Sequence, residues 1–190
     1  VHILPALKGG RRCFVRMKGG LTLDAIAEHL GMSLEDVEGL VTEVPKSAVR
    51  ETFVAKHDAE VDEYALPEEL KNSLCVIDEV HEAYVSSRDP LPPEIEGFFA
   101  VHRHYGVDVV LMSQFYKRIH MAVRGRIEGK NTFQKLTAVG MDKSYRVTFW
   151  RTVAPDRYEK VGGETRKYDP TYFPLYRGVA DDGVQATVYK

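Results

Sequence analysis

A chain of 190 residues is the length of one domain built around one core. Its 44% hydrophobic and 28% charged residues, with one Trp, ten Tyr and eight Phe, exclude a chain disordered throughout. Lys and Arg number 26 against 28 Asp and Glu, a formal charge of −2, so there is no global basic field and any contact with nucleic acid or anionic lipid is local. Cys13 and Cys75 each lie in an apolar run, which excludes a disulfide scaffold and reads as two small buried hydrophobes. No apolar stretch approaches the roughly 18 to 20 residues that span a bilayer. The first residues lack both an initiating Met and a signal-peptide plan, so a soluble piece beginning partway through a longer protein is expected.

In chain order, residues 12–17 form a short β-branched run after a Gly-Gly pair, and 74–77 and 107–112 are fuller apolar runs. All three read as buried strands. Between them lie helical patterns at 23–30, closed by Gly31, at 34–41, and at 93–105, which opens on Pro93 and closes at Gly106. Strands alternating with helices imply an α/β fold with a parallel sheet covered on both faces. Beyond Gln114, residues 132–139 and 145–153 read as a terminal hairpin. Residues 166–189 read as an irregular packing segment with one late strand at 185–189. No linker divides the chain, so residues 1–190 are expected to be a single domain.

The strongest chemical feature is the run Leu74, Cys75, Val76, Ile77, which ends abruptly in Asp78 and Glu79. In open α/β sheets ligands bind beyond the carboxyl ends of the strands. Asp78 can hold the water shell of Mg²⁺, which binds through one or two carboxylates plus nucleotide phosphates, while Glu79 can orient an attacking water. The run 107–112 ends in a second polar pair, Ser113 and Gln114, expected on the same rim, with Gln114 long enough to sense a γ-phosphate or its water. His102, Arg103 and His104 stand at the end of the intervening helix, where cations relieve the helix dipole; they are expected to adjoin the phosphate site. No further His or Cys follows at metal-ligand spacing.

The run from Cys75 to Glu82, with Pro92 to Glu96 and His102 to Gln114, resembles the Walker B to sensor segment of the Zot family, the filamentous-phage assembly ATPases related to the FtsK/HerA motors. The opening Leu4 to Arg12, Lys167 to Asp169 and Leu175 to Arg177 extend the resemblance over nearly the whole chain. It implies a P-loop NTPase of the RecA/ASCE type: a three-layer sandwich with a mostly parallel sheet and a C-terminal hairpin. It also implies ATP and Mg²⁺ as cofactors, with Asp78 as the magnesium carboxylate, Glu79 as the residue that polarises water, Gln114 as the sensor and Arg103 as an arginine acting on a neighbouring subunit. Implied partners are other copies in a ring, phage DNA or coat and export proteins, and the host inner membrane, at whose cytoplasmic face the domain would be held by a segment outside this chain. The implied function is a motor for virion assembly and extrusion.

One element of that pattern is not in the chain. A P-loop needs G-x-x-x-x-G-K-[ST], whose amides and Lys cradle phosphates, and no such string occurs. The nearest, at 125–131, has the wrong spacing and follows no expected strand, so it reads as a loop. Strand one and Walker A are therefore expected upstream of Val1, and this chain by itself is expected to be inactive. Residues 20–41 also have the texture of a helix-turn-helix, the alternative DNA-binding reading, yet the second helix offers Glu35, Asp36, Glu38 and Glu43 where base readers carry Arg, Lys, Asn or Gln; two amphipathic helices packed on the sheet fit better. A secreted toxin-like effector is a third reading, one that needs sequence beyond Lys190. The acids at 58–69 read as a solvated face, and the basic, aromatic residues 115–135 as either an exposed surface or a groove for single-stranded DNA.

Overall fold

The computed structural model describes residues 2–59, 62–87 and 89–177, and these form two compact units, the described residues up to 120 together with 174–177, and residues 121–173. In the first unit the elements run α1 (Ile3–Lys8), β1 (Cys13–Arg16), α2 (Leu23–Leu30), α3 (Leu34–Leu40), β2 (Val41–Glu43), α4 (Val49–Thr52), β3 (Lys56–Asp58), β4 (Glu63–Ala65), β5 (Leu74–Ile77), α5 (Val80–Ala83), α6 (Pro93–Val101) and β6 (Asp108–Leu111). Strands β2, β1, β5 and β6 stand side by side in that order, every pair parallel, with Ile77 level with Arg16 on one side and Leu111 on the other. This is the expected α/β class.

Alternation along the strands decides the layers. Cys13, Val15, Leu74 and Val76 face Leu7, Ile26, Ala27 and Val37 in one buried cluster, so α1, α2 and α3 cover one side. Their neighbours Phe14, Cys75 and Ile77 point to the other side and are also buried, so β5 is covered on both faces. Residues 20–41 therefore spend their apolar positions in the core, as two packed helices do. Gly31, in the left-handed region at φ 66°, ends α2 as expected, and Ser33 caps α3 by accepting from the Asp36 N–H. The end of α3 is a correction: Val41 begins β2, a strand the helical spacing hides. The helix expected over 93–105 is α6 followed by a 3₁₀ turn, His102–Tyr105. Both thiols are buried, and desolvation pushes them up to about 11 for Cys13 and about 12 for Cys75.

One side chain ties the amino ends of three strands together. Arg11 donates to the carbonyls of Asn72, Ser73 and Gly106 at 3.0, 2.7 and 2.7 Å and pairs with Asp108. Gly106 sits there at φ 68°, a left-handed backbone that favours glycine, and a Cβ on it would lie 2.4 Å from Asn72 Oδ1 and force that side chain to move. The Asp108 side chain is 69% exposed, which leaves the carbonyl bonds as the larger contribution. Arg11→Ala is expected to lower stability by about 2 kcal/mol in urea unfolding with the slope unchanged, and Arg11→Lys to recover less than half of that, since an ammonium cannot span the fork.

In the second unit, α7 (Met121–Arg124) leads to β7 (Gly129–Lys135), β8 (Ser144–Ala154) and β9 (Arg157–Lys167), an antiparallel sheet with β8 central. The expected hairpin is thus a three-stranded sheet. Residues 129–131, expected as loop, begin β7, while the strand expected at 185–189 lies outside the described residues. Leu175 and its neighbours return to the first unit: its carbonyl accepts from Thr22 N at 3.0 Å, and Arg177 N donates to Gly20 O at 3.1 Å.

Candidate functional site

Because the four strands are parallel and in step, their carboxyl ends share one rim. There the loop 17–20 follows β1, Asp78 and Glu79 follow β5, and Met112 to Gln114 follow β6. The Asp78 N–H donates to Arg16 O at 2.8 Å, Met112 N–H to Ile77 O at 2.9 Å, and Val80 N–H to Met112 O at 3.0 Å, so the ladder continues past the strands and fixes the loops against each other. The Asp78 carboxylate accepts the Lys18 N–H at 3.2 Å on one oxygen and the Glu79 N–H at 2.9 Å on the other. A carboxylate has about four acceptor positions, so two remain.

Glu79 stands out in two ways. Its backbone lies in the left-handed region, φ 50° and ψ 42°, which costs a non-glycine residue about 1 kcal/mol or more. Its Oε1 accepts from Gln114 Nε2 at 3.0 Å, joining the ends of β5 and β6, while Oε2 is buried without a hydrogen-bond partner. His81 Nδ1 is 3.3 Å from Oε2 but lacks hydrogen-bond geometry to it, being engaged with Ser113 Oγ at 2.9 Å. A buried carboxylate oxygen without a hydrogen-bond partner is costly, and a catalytic role or a bound water or ion is among the reasons a fold keeps one. Phe115 packs edge-on against the His81 ring at 5.4 Å between centroids.

Of the residues expected to act, Asp78, Glu79 and Gln114 are brought together. Arg103 is not with them. Its 3₁₀ turn precedes β6, and the bonds from Asn72 N to Tyr105 O and from Asp108 N to Ser73 O hold that turn at the amino ends of β5 and β6. Four strand residues at about 3.3 Å each separate that edge from the rim. The expectation that His102, Arg103 and His104 adjoin the phosphate site is thus corrected: a helix entering a parallel strand must end at the strand's amino end. Arg103 is exposed. His102 is half-buried and stacks on Phe98, and desolvation lowers its pKa. Sequence patterns alone do not single out His81, whose signal is its place two residues after Glu79, or the loop containing Lys18, Gly19 and Gly20, whose glycines take φ 85° and 80°. Among the described residues no three His, Cys, Asp or Glu side chains gather as a metal cage, so a cation here would need the mode that uses one carboxylate, waters and phosphates.

The model of the family described as zonular occludens toxin (Zot) matches residues 1–182. The chain belongs to the Zot family. It is 51% identical over 189 residues to the Gene 1 protein of Xanthomonas phage phiLf, covering 100% of this chain and 42% of that protein. To the Zona occludens toxin of Vibrio cholerae serotype O1 it is 28% identical over 159 residues, covering 78% of this chain and 39% of that one. It therefore spans about two fifths of the length of these Zot relatives. Among solved structures it is similar to the N-terminal domain of the zonular occludens toxin from Neisseria meningitidis, with a TM-score of 0.53 and 17% identity over 87% of this chain and 80% of the other. That likeness is one of fold.

Proposed function

We propose that this chain is the catalytic part of a P-loop ATPase that drives phage assembly, with its hydrolysis site at the shared strand rim. The observation that carries the reading is the Glu79–Gln114 hydrogen bond with its buried, unsatisfied second carboxylate oxygen. Held in that way, Glu79 can accept a proton from, and orient, a water placed against a terminal phosphate, while Gln114 fixes the carboxylate and reports occupancy of the site to β6. Asp78, with two acceptor positions left, would hold Mg²⁺, whose charge would offset that of the phosphates when bound. His81 and Ser113 are positioning residues that buttress Glu79 from behind.

The phosphate cradle is assigned to sequence upstream of Val1. Two observations support this. No G-x-x-x-x-G-K-[ST] string occurs in the 190 residues. Among the described residues the outer edge of β6 pairs with no strand, although Val109, Val110 and Leu111 are an apolar, half-exposed run of the kind that parallel sheets bury. The reading extends to a ring of copies acting on phage DNA or coat and export proteins at the cytoplasmic face of the inner membrane, held there by a segment outside this chain. Among the described residues no helix is long and apolar enough to cross a membrane. Calorimetric titration with Mg-ATP is the test: the longer protein is expected to bind tightly and the 190-residue chain at least about a hundredfold more weakly, since cradle amides and Lys supply most phosphate contacts. Equal affinity of the two would refute the assignment.

A further inference from the structure

The second unit carries eleven Lys and Arg against six Asp and Glu, a formal +5 in a chain whose total is −2. Strand register sorts these charges by face, because residues opposite one another in a ladder share a side. One face holds Phe133, Val147 and Phe149 together with the ion pairs Arg151–Glu159 and Arg166–Glu164. The other holds Lys130, Arg146, Lys160 and Lys167 around Trp150 and Tyr158, and its remaining paired positions are mainly Thr, Gln, Ser and Gly. Among the paired residues of the three strands this second face has no carboxylate; Glu128, one residue before β7, stands at its end. Lys130 Nζ lies 5.5 Å from the centre of the Trp150 ring and 4.1 Å from that of Tyr158, and Trp150 Nε1 donates to Thr132 Oγ1 at 3.0 Å, which fixes the indole in place. Arg146, Lys160 and Lys167 are exposed, and both rings are half-buried.

We propose that this face binds single-stranded DNA, its cations following the phosphates and its two rings stacking bases. Rings set in a sheet reach base faces only when the bases are unpaired, as in a single strand. The contacts invoked here need no 2′-hydroxyl: cations meet phosphates and rings meet base faces, both of which a deoxyribose chain carries. It is poorly suited to a bilayer, because the exposed apolar Phe133 is on the opposite side. The inference stands independently of the nucleotide reading.

Trp150 is the sole tryptophan, so its emission reports this face directly. Titration of the 190-residue chain with a thymidine oligomer at low salt is expected to quench that emission, with log affinity falling against log salt at a slope near −3, about −0.7 for each of four phosphates. Followed by anisotropy of a labelled oligomer, Trp150→Ala is expected to lose about tenfold in affinity and Trp150→Phe much less. Arg146→Glu and Lys160→Glu should each lose about tenfold as well, while Lys135→Glu, the same charge change on the other face, should lose little. Equal loss from Lys135→Glu, duplex binding as tight as single strand, tighter binding of a uridine oligomer, or binding to phosphatidylserine vesicles alone would overturn the proposal.

Discussion

In the longer protein, Glu79→Gln is expected to keep Mg-ATP affinity within a few fold and to lose turnover by about 10² to 10⁴-fold, the range for a positioned proton acceptor. The amide is nearly isosteric and can still meet the Gln114 side chain, so the fold and the 3.0 Å contact between strand ends are spared. Only the capacity to take a proton is removed. Asp78→Asn should behave in the opposite sense. Its oxygens are anchored by the Lys18 and Glu79 amides, so the side chain stays in place while the anionic partner for Mg²⁺ is lost, and affinity for Mg-ATP should fall by at least about tenfold. Binding and hydrolysis measured separately distinguish the two roles; full turnover in Glu79→Gln would remove Glu79 from the mechanism.

Arg103 carries the second large effect. It stands at the amino edge of the sheet that bears Asp78 and Glu79 at its carboxyl edge, so a role at its own chain's rim is excluded by the connectivity of α6 and β6. A role on a neighbouring copy is compatible with its exposure, and an arginine acting in trans supplies about 10³ to 10⁵-fold in rate. If the proposed ring forms and Arg103 acts across it, Arg103→Ala subunits are expected to lose hydrolysis nearly completely while still binding Mg-ATP. Mixing them with Glu79→Gln subunits should restore activity wherever an intact Arg103 meets an intact Glu79. If mixed assembly is demonstrated and hydrolysis stays at the level of the separate mutants, the arginine does not act in trans.

How much of this was legible before the structure depends on the residue. Strand β5 declares itself because Leu74 to Ile77 are uniformly apolar and stop at two acids, and α2 because its helical spacing ends at Gly31. Strand β2 does not, since Leu34, Val37, Leu40 and Val41 continue a helical spacing; only β1, which Val41 to Glu43 pair with, decides the backbone. Strand β9 is mostly polar, contains Gly162 and Gly163, and has no alternation of its own. Its conformation is imposed by β8, with a Cβ on Gly163 sitting 2.8 Å from Val147 O. The site divides in the same way. Asp78, Glu79 and Gln114 are strand-end residues and follow from connectivity, whereas the His81–Ser113 contact joins α5 to the loop after β6, 32 positions away. The left-handed backbone of Glu79 has no signature in its residue type.

The claim on which the rest depends is that Glu79 and Gln114 act as one device across the ends of β5 and β6. Single-turnover hydrolysis in the longer protein, measured for Glu79→Gln, Gln114→Ala and the double variant, tests it most directly. The expected result is that each single change slows hydrolysis and that the double variant is no slower than Glu79→Gln alone, because Gln114 works only through the carboxylate it holds. Losses that multiply, or a Gln114→Ala variant at full rate, would contradict it.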